Sequence, residues 1–155
     1  MRNQSGHSLL ELGVAVFFLV ILAFLCTNVY ILHLGKSYND RVCRDSMHYA
    51  AQAALDGKNK EYVQRAAFNG MNSTGMGGVF ISHPQYTKFQ DEITSDVRVL
   101  KVQTQTLVAL PMPFLVIGLK PDHNNRVVYT ATYEIQIKNP KKCQSEDAEK
   151  ATPAE

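Results

Sequence analysis

The chain has 155 residues, a hydrophobic fraction of 45% and a formal net charge of +2. That length holds one domain, and the small charge, with no Lys/Arg cluster, excludes an electrostatic footprint for nucleic acid. Three cysteines, Cys26, Cys43 and Cys143, leave one over after any pairing, and Cys26, inside an apolar run, is the natural one to stay unpaired.

Residues 12–34 form a run of 23 without a single Asp, Glu, Lys or Arg. At about 1.5 Å per residue a helix of that length crosses a hydrocarbon core of about 30 Å. A soluble chain this small has too little protein to cover such a run on every side. A cleaved secretory signal is excluded differently: its apolar region is about 7–15 residues and ends at a small-residue site, whereas Leu22-Ala23-Phe24-Leu25 offers none ahead of Cys26. The same bulky residues make Cys26 a poor lipid-attachment cysteine. The segment is therefore expected to stay on the mature protein as a single transmembrane helix.

Glu11 stands between Leu10 and Leu12 at the edge of that run. A carboxylate costs roughly 2.5–3.5 kcal/mol at the centre of a membrane helix and less near the interface, so it marks either a functional residue or one resting in the headgroup layer. Gly6-His7-Ser8-Leu9-Leu10-Glu11-Leu12, behind a short leader with Arg2 and ahead of the apolar helix, resembles the class III signal of type IV pilin-like proteins. The resemblance implies cleavage by a prepilin peptidase between Gly6 and His7. It makes Glu11 the fifth mature residue, which in that family pairs with the new N-terminal ammonium of a neighbouring subunit; such an ion pair is strong in low dielectric. Gly6 suits the cut because an absent side chain lets the backbone enter a narrow groove. His7 departs from the phenylalanine of the main pilins and is closer to the first positions of TadE-like minor pilins. The resemblance also implies the partners: the prepilin peptidase, other pilin or minor pilin subunits, inner-membrane assembly proteins and membrane lipid, with no cofactor. It places the chain in the inner membrane with a cytoplasmic N-terminus. The positive-inside rule by itself opposes that orientation, since Lys36, Arg41 and Arg44 on the far flank outweigh Arg2.

Beyond Gly35 the pattern becomes amphipathic. Tyr38, Val42, Met47, Ala50 and Ala54 recur at helical spacing, with Asn39, Arg41, Arg44, Asp45 and Gln52 assigned to the surface. Gly57 is a stop signal, so one helix is expected from about Ser8 to Leu55. A second helix is expected over residues 60–68, capped by Asn59 and ended by Asn69-Gly70, with a glycine-rich loop over 70–78. Three extended stretches follow. Residues 97–106 alternate, with a slip of phase near Leu100 that suggests a bulge. Residues 114–119 are a short apolar run behind Pro111 and Pro113. Residues 127–138 alternate most clearly, after a turn over 120–126. The fold class is thus α+β: a long N-terminal helix, half transmembrane and half amphipathic, packed on a small antiparallel sheet of three or four strands. The divisions are a leader over 1–6, a transmembrane helix over 7–34, an extracytoplasmic domain over 35–140 and a disordered, charged tail over 141–155.

No catalytic constellation is present. The five histidines never fall at H-E-x-x-H or paired-ligand spacing, and Cys43, His48 and Cys143 make only a weak zinc set. Gly70 and Gly75 have the outer spacing of a phosphate loop, but Met76-Gly77 stands where Lys-Ser/Thr is needed. Asn72-Ser73-Thr74 matches a glycosylation sequon in a polar loop. A disulfide between Cys43 and Cys143 is expected if the domain faces an oxidising compartment. Two functions remain: a minor pilin or pseudopilin, and a signal-anchored membrane protein whose outer domain binds a partner. Only the first requires a mature chain that starts at His7.

Overall fold

The structure is a computed structural model that describes residues 4–75, 77–94, 97–112 and 125–138. Five elements follow in order: α1 (Gln4–Leu55), α2 (Lys60–Ser73), β1 (Gln85–Ile93), β2 (Val97–Ala109) and β3 (Arg126–Lys138). The strands form one antiparallel sheet in the order β1-β2-β3. The fold is α+β, with the second half of α1 laid on β2 and β3 and α2 antiparallel beside it.

α1 is a single helix because no proline interrupts residues 4–55. It stops at Gly57, whose φ of 73° places it in the left-handed region. There Gly57 N–H bonds Ala54 O and Lys58 N–H bonds Ala53 O, both at 3.1 Å. This paired pattern satisfies carbonyls the helix end leaves over, and glycine adopts that conformation without steric cost. α2 starts where Asn59 Oδ1 accepts from Tyr62 N–H at 3.0 Å, as its sequence predicts. It continues past Asn69-Gly70 to Ser73, however. Gly70 does not end the helix but lets it cross α1 closely: a Cβ there would lie 2.8 Å from the Tyr49 ring and 3.1 Å from both Asp45 O and Ser46 Cα. Ser46 Oγ donates to Ala67 O at 2.7 Å across the same contact.

β2 alternates buried and half-buried positions along its whole length. Its pairing with β3 is continuous from Val97↔Lys138 to Ala109↔Arg126. The expected bulge near Leu100 is therefore absent. The apparent slip arises because Arg98 occupies an inward position, in phase with Leu100, Val102, Thr104, Thr106 and Val108. Its burial is compensated: Nε and Nη2 donate to Asp91 at 2.8 and 2.6 Å, and Nη1 donates to Lys58 O at 3.0 Å. Neither side chain of this ion pair is exposed, and it ties the β1–β2 hairpin to the end of α1. The irregularity lies instead in β1, between Tyr86 and Lys88. β1 itself was not foreseen, since its QYTKFQDEI sequence carries few apolar residues and sits at a sheet edge. β3 matches expectation, and Val127, Ala131 and Ile137 are its buried residues. The expected stretch over 114–119 and the tail over 141–155 lie outside the described residues.

Candidate functional site at the helix–domain junction

One helix in the structure is long and apolar enough to cross a membrane, and none of its most apolar window is buried. Leu9, Leu12, Phe17, Phe18, Leu19 and Leu22 are all exposed. The first buried residue along α1 is Asn28, followed by Ile31 and Leu32. Asn28 Nδ2 donates to Met112 O at 2.7 Å, and Ile31 and Leu32 form a small core with Val108, Leu110 and Val127. The domain thus takes hold of α1 at Asn28 rather than at residue 35. Residues 9–27 are left as about 28 Å of apolar helix, close to the thickness of a hydrocarbon core.

From Asn28 onward a stripe runs along one face of α1: Asn28, Gly35, Asn39, Val42, Ser46, Ala50 and Ala53, each buried or in close contact. The spacings of three, four and seven keep them on one side of the helix. A Cβ at Gly35 would collide with Val108 Cγ2, so only glycine lets β2 approach at that height. Asn39, assigned by its polarity to the surface, is wholly buried. It accepts from Thr104 and Thr106 hydroxyls at 3.0 Å each and donates to Tyr129 O at 3.1 Å. One amide thereby bonds both neighbouring strands. Sequence reasoning places none of Asn28, Gly35 and Asn39 at a contact. Their signal was present in the 28–35–39 spacing, which only makes sense if polar and small residues share an inward face.

Cys43 is a free, buried thiol in the main core, with Sγ 3.5 Å from both Val102 O and Ala131 O. Burial pushes its pKa up. Its expected disulfide partner Cys143 lies outside the described residues. Cys26 is free and exposed on the apolar part of α1. Gly6 and His7 lie in the first turns of α1, and Glu11 is exposed on the same helix. No salt bridge to Glu11 is found among the described residues. The structure therefore does not bring Gly6, His7 and Glu11 together with Cys43: they occupy the outer end of α1, and Cys43 the domain.

Two surface clefts stand out among the described residues. One, of about 380 Å³, runs between α1 and β3 and is lined by His33, Lys36, Asp40, Arg41, Arg44 and Tyr133. It collects the positive flank, with Arg41 weakly paired to Asp45 at 3.8 Å. The other, about 470 Å³, lies between α2 and β1 beside Phe68 and Tyr86. Among the described residues no group of three His, Cys, Asp or Glu is placed to hold a metal ion. No family model, curated protein or solved structure matches the chain.

Proposed function

We propose that the chain is a minor pilin or pseudopilin of the TadE-like kind, a structural subunit of a type IV-like filament or of its assembly machinery. In this reading α1 crosses the inner membrane with its N-terminus in the cytoplasm, and the domain from Asn28 onward stands outside. A prepilin peptidase removes residues 1–6, and Glu11 pairs with the new ammonium of a neighbouring subunit. The observation that carries it is the division of α1: about 28 Å of apolar helix in which no described residue is buried, joined without a break to a helix clasped by a sheet. A helix that only tethered its domain would not need to be one rigid body with it. Rigidity matters where many copies pack helix against helix, because the position of each domain is then set by the position of its helix. Gly6 also lowers helix stability by about 1 kcal/mol relative to alanine, which helps the first turns of α1 open for cleavage.

Intact-mass measurement of protein made beside its cognate peptidase tests this. The expected mature chain starts at His7, and Gly6→Val retains the leader. Full-length chain from the unaltered sequence, in a host with active peptidase, would overturn the reading in favour of a signal-anchored binding protein. Glu11→Gln keeps size and polarity, so it should leave insertion and folding intact while reducing co-purification with partner subunits. Equal recovery of partners with Glu11→Gln would remove the ion pair from the mechanism.

A further inference from the structure

The loop before β1 carries two apolar residues that stay exposed among the described residues. Val79 is 95% exposed and Phe80 is 42% exposed. A fully exposed valine on a loop of a small domain is unusual only if its surroundings are water, so its position relative to the apolar helix decides its meaning.

That position can be read from the register. β2 runs antiparallel to α1: Val102 meets Cys43, Thr104 and Thr106 meet Asn39, Val108 meets Gly35, and Leu110 packs with Ile31 and Leu32. Moving up β2 is therefore moving down α1 toward its apolar end. Ile81 bridges to Val108, and Phe80 O accepts from Ala109 N–H at 2.8 Å. Phe80 thus stands about level with residues 32–34 of α1, and Val79 is its neighbour at the tip of the turn that Ile81 N–H closes on Gly78 O at 3.3 Å. Residue 27 closes the free apolar stretch, so the tip lies within roughly 5–10 Å of its end. The headgroup layer of one leaflet is about 5–7 Å deep. At the same level α1 exposes Val29 and Tyr30, and Lys36 is exposed about a turn and a half farther along the helix. Aromatic residues with a cation just outside them are the side chains that favour a lipid–water interface. The tip is a tight turn: Gly78 has a φ of 149°, and a Cβ at Gly77 would lie 2.6 Å from Ile81 O. Both positions need glycine for the loop to turn so tightly.

We infer that Val79 and Phe80 enter the interfacial layer of the bilayer that α1 crosses, so that the domain rests on the lipid surface at a second point. The inference rests on the reading of α1 as a membrane-crossing helix. Continuity with that helix selects lipid as the occupant, because the loop tip lies at the height where the helix itself leaves the hydrocarbon. Two points of contact fix the tilt and rotation of the domain, which a lone helix leaves free.

The chain contains no tryptophan, so single substitutions provide clean reporters in the full-length protein. Val79→Trp, Val20→Trp and Ile93→Trp would each be reconstituted in phosphatidylcholine vesicles brominated close to the glycerol end of the acyl chains. Val20 lies inside the free apolar stretch, and Ile93 at the far end of β1. Val79→Trp emission is expected to fall roughly twofold or more, as for an indole at the interface, while Ile93→Trp is unchanged. Val20→Trp quenched with Val79→Trp as bright as Ile93→Trp would overturn the inference and leave the membrane helix standing, with a protein partner then the better occupant for the loop. All three unquenched would overturn both.

Discussion

Residues 9–27 and residues 28–55 of α1 differ in what their side chains meet. Along the first stretch the large apolar residues are exposed or half-exposed all round, and none of the described ones is buried. Along the second, large aliphatic residues are fewer, and the inward face is built from alanine, glycine, serine and asparagine, with Val42, Cys43 and Met47 between them. The more hydrophobic half is thus the half without a core. A protein core requires close approach, which small residues permit at Gly35, Ser46 and Gly70, and partners for each buried polar group, which Asn39 finds on two strands. A bilayer requires only that the surface be apolar all round.

The sharpest way to break this comparison is to move the boundary. A chain that begins at residue 28 keeps Ile31 and Leu32 on Val108, Leu110 and Val127, whereas one that begins at residue 35 uncovers that cluster. Each lost aliphatic burial is worth about 1.5–3 kcal/mol, so the shorter chain, without Ile31 and Leu32, should be less stable by about 3–6 kcal/mol. Urea unfolding of the two truncated chains would measure the difference. Equal stability would return the boundary to residue 35.

A change on α1 itself comes next. Asn39→Leu makes the second stretch resemble the first by replacing the buried amide with an apolar side chain of similar size. Thr104 and Thr106 hydroxyls lose their acceptor and Tyr129 O its donor. At about 1–3 kcal/mol for each buried group left unpaired, partly relieved by relaxation, the loss should be about 3 kcal/mol. A stability within about 0.5 kcal/mol of the unaltered protein would show that apolarity alone suffices on both stretches.

The parts of the fold that were legible in the sequence were those set by local periodicity. Residues 12–34 lack charge, residues 127–138 alternate, and Asn59 and Gly57 mark helix ends by mechanisms that act within a few residues. What stayed hidden depended on distant partners. The phase slip near Leu100 reads as a bulge because the carboxylate that compensates an inward Arg98, Asp91, lies on another strand. Gly70 looked like a helix stop because nothing local reveals that α1 passes within van der Waals reach of it. Asn39 was placed on the surface because its acceptors and donors are all on β2 and β3. Of the candidate site, Gly6, His7 and Glu11 were legible as a motif, but the clasp at Asn28 was not, since an asparagine in an apolar run reads first as an exception.

Tyr86 provides a smaller test, confined to the domain. Its hydroxyl is buried without a hydrogen-bond partner among the described residues. Burial pushes its pKa up from 10.0 to about 12, with the nearby Ser46 hydroxyl a weaker opposing influence. Between those two values the unfolded chain has released the phenolic proton and the folded chain retains it. The folded state then binds more protons, so stability falls as pH rises through that window and is fully present below about pH 10. Tyr86→Phe removes this dependence. It should match the unaltered protein within about 1 kcal/mol at neutral pH and lose less stability above pH 10. Denaturant midpoints across that pH range would show it. Parallel curves for the two proteins would mean that the Tyr86 hydroxyl reaches water when the domain is folded.

The smallest expected effect is the most direct check on residues 9–27. Phe17 is 63% exposed, and among the described residues its ring meets that of Phe18, edge-on, with centroids 6.2 Å apart. Truncating a core phenylalanine costs about 3–5 kcal/mol because it leaves a cavity. Phe17→Ala leaves none, since the ring is largely exposed among the described residues. Unfolding of the domain in detergent should therefore change by no more than about 0.5 kcal/mol, the ordinary range for surface substitutions. The helix would remain apolar enough to stay inserted, as the surrounding run still carries no charge from residue 12 to residue 34. A loss above about 1 kcal/mol would mean that residues 9–27 take part in the fold of the domain. The two stretches of α1 would then belong to one cooperative unit, and the boundary at Asn28 would have to be abandoned.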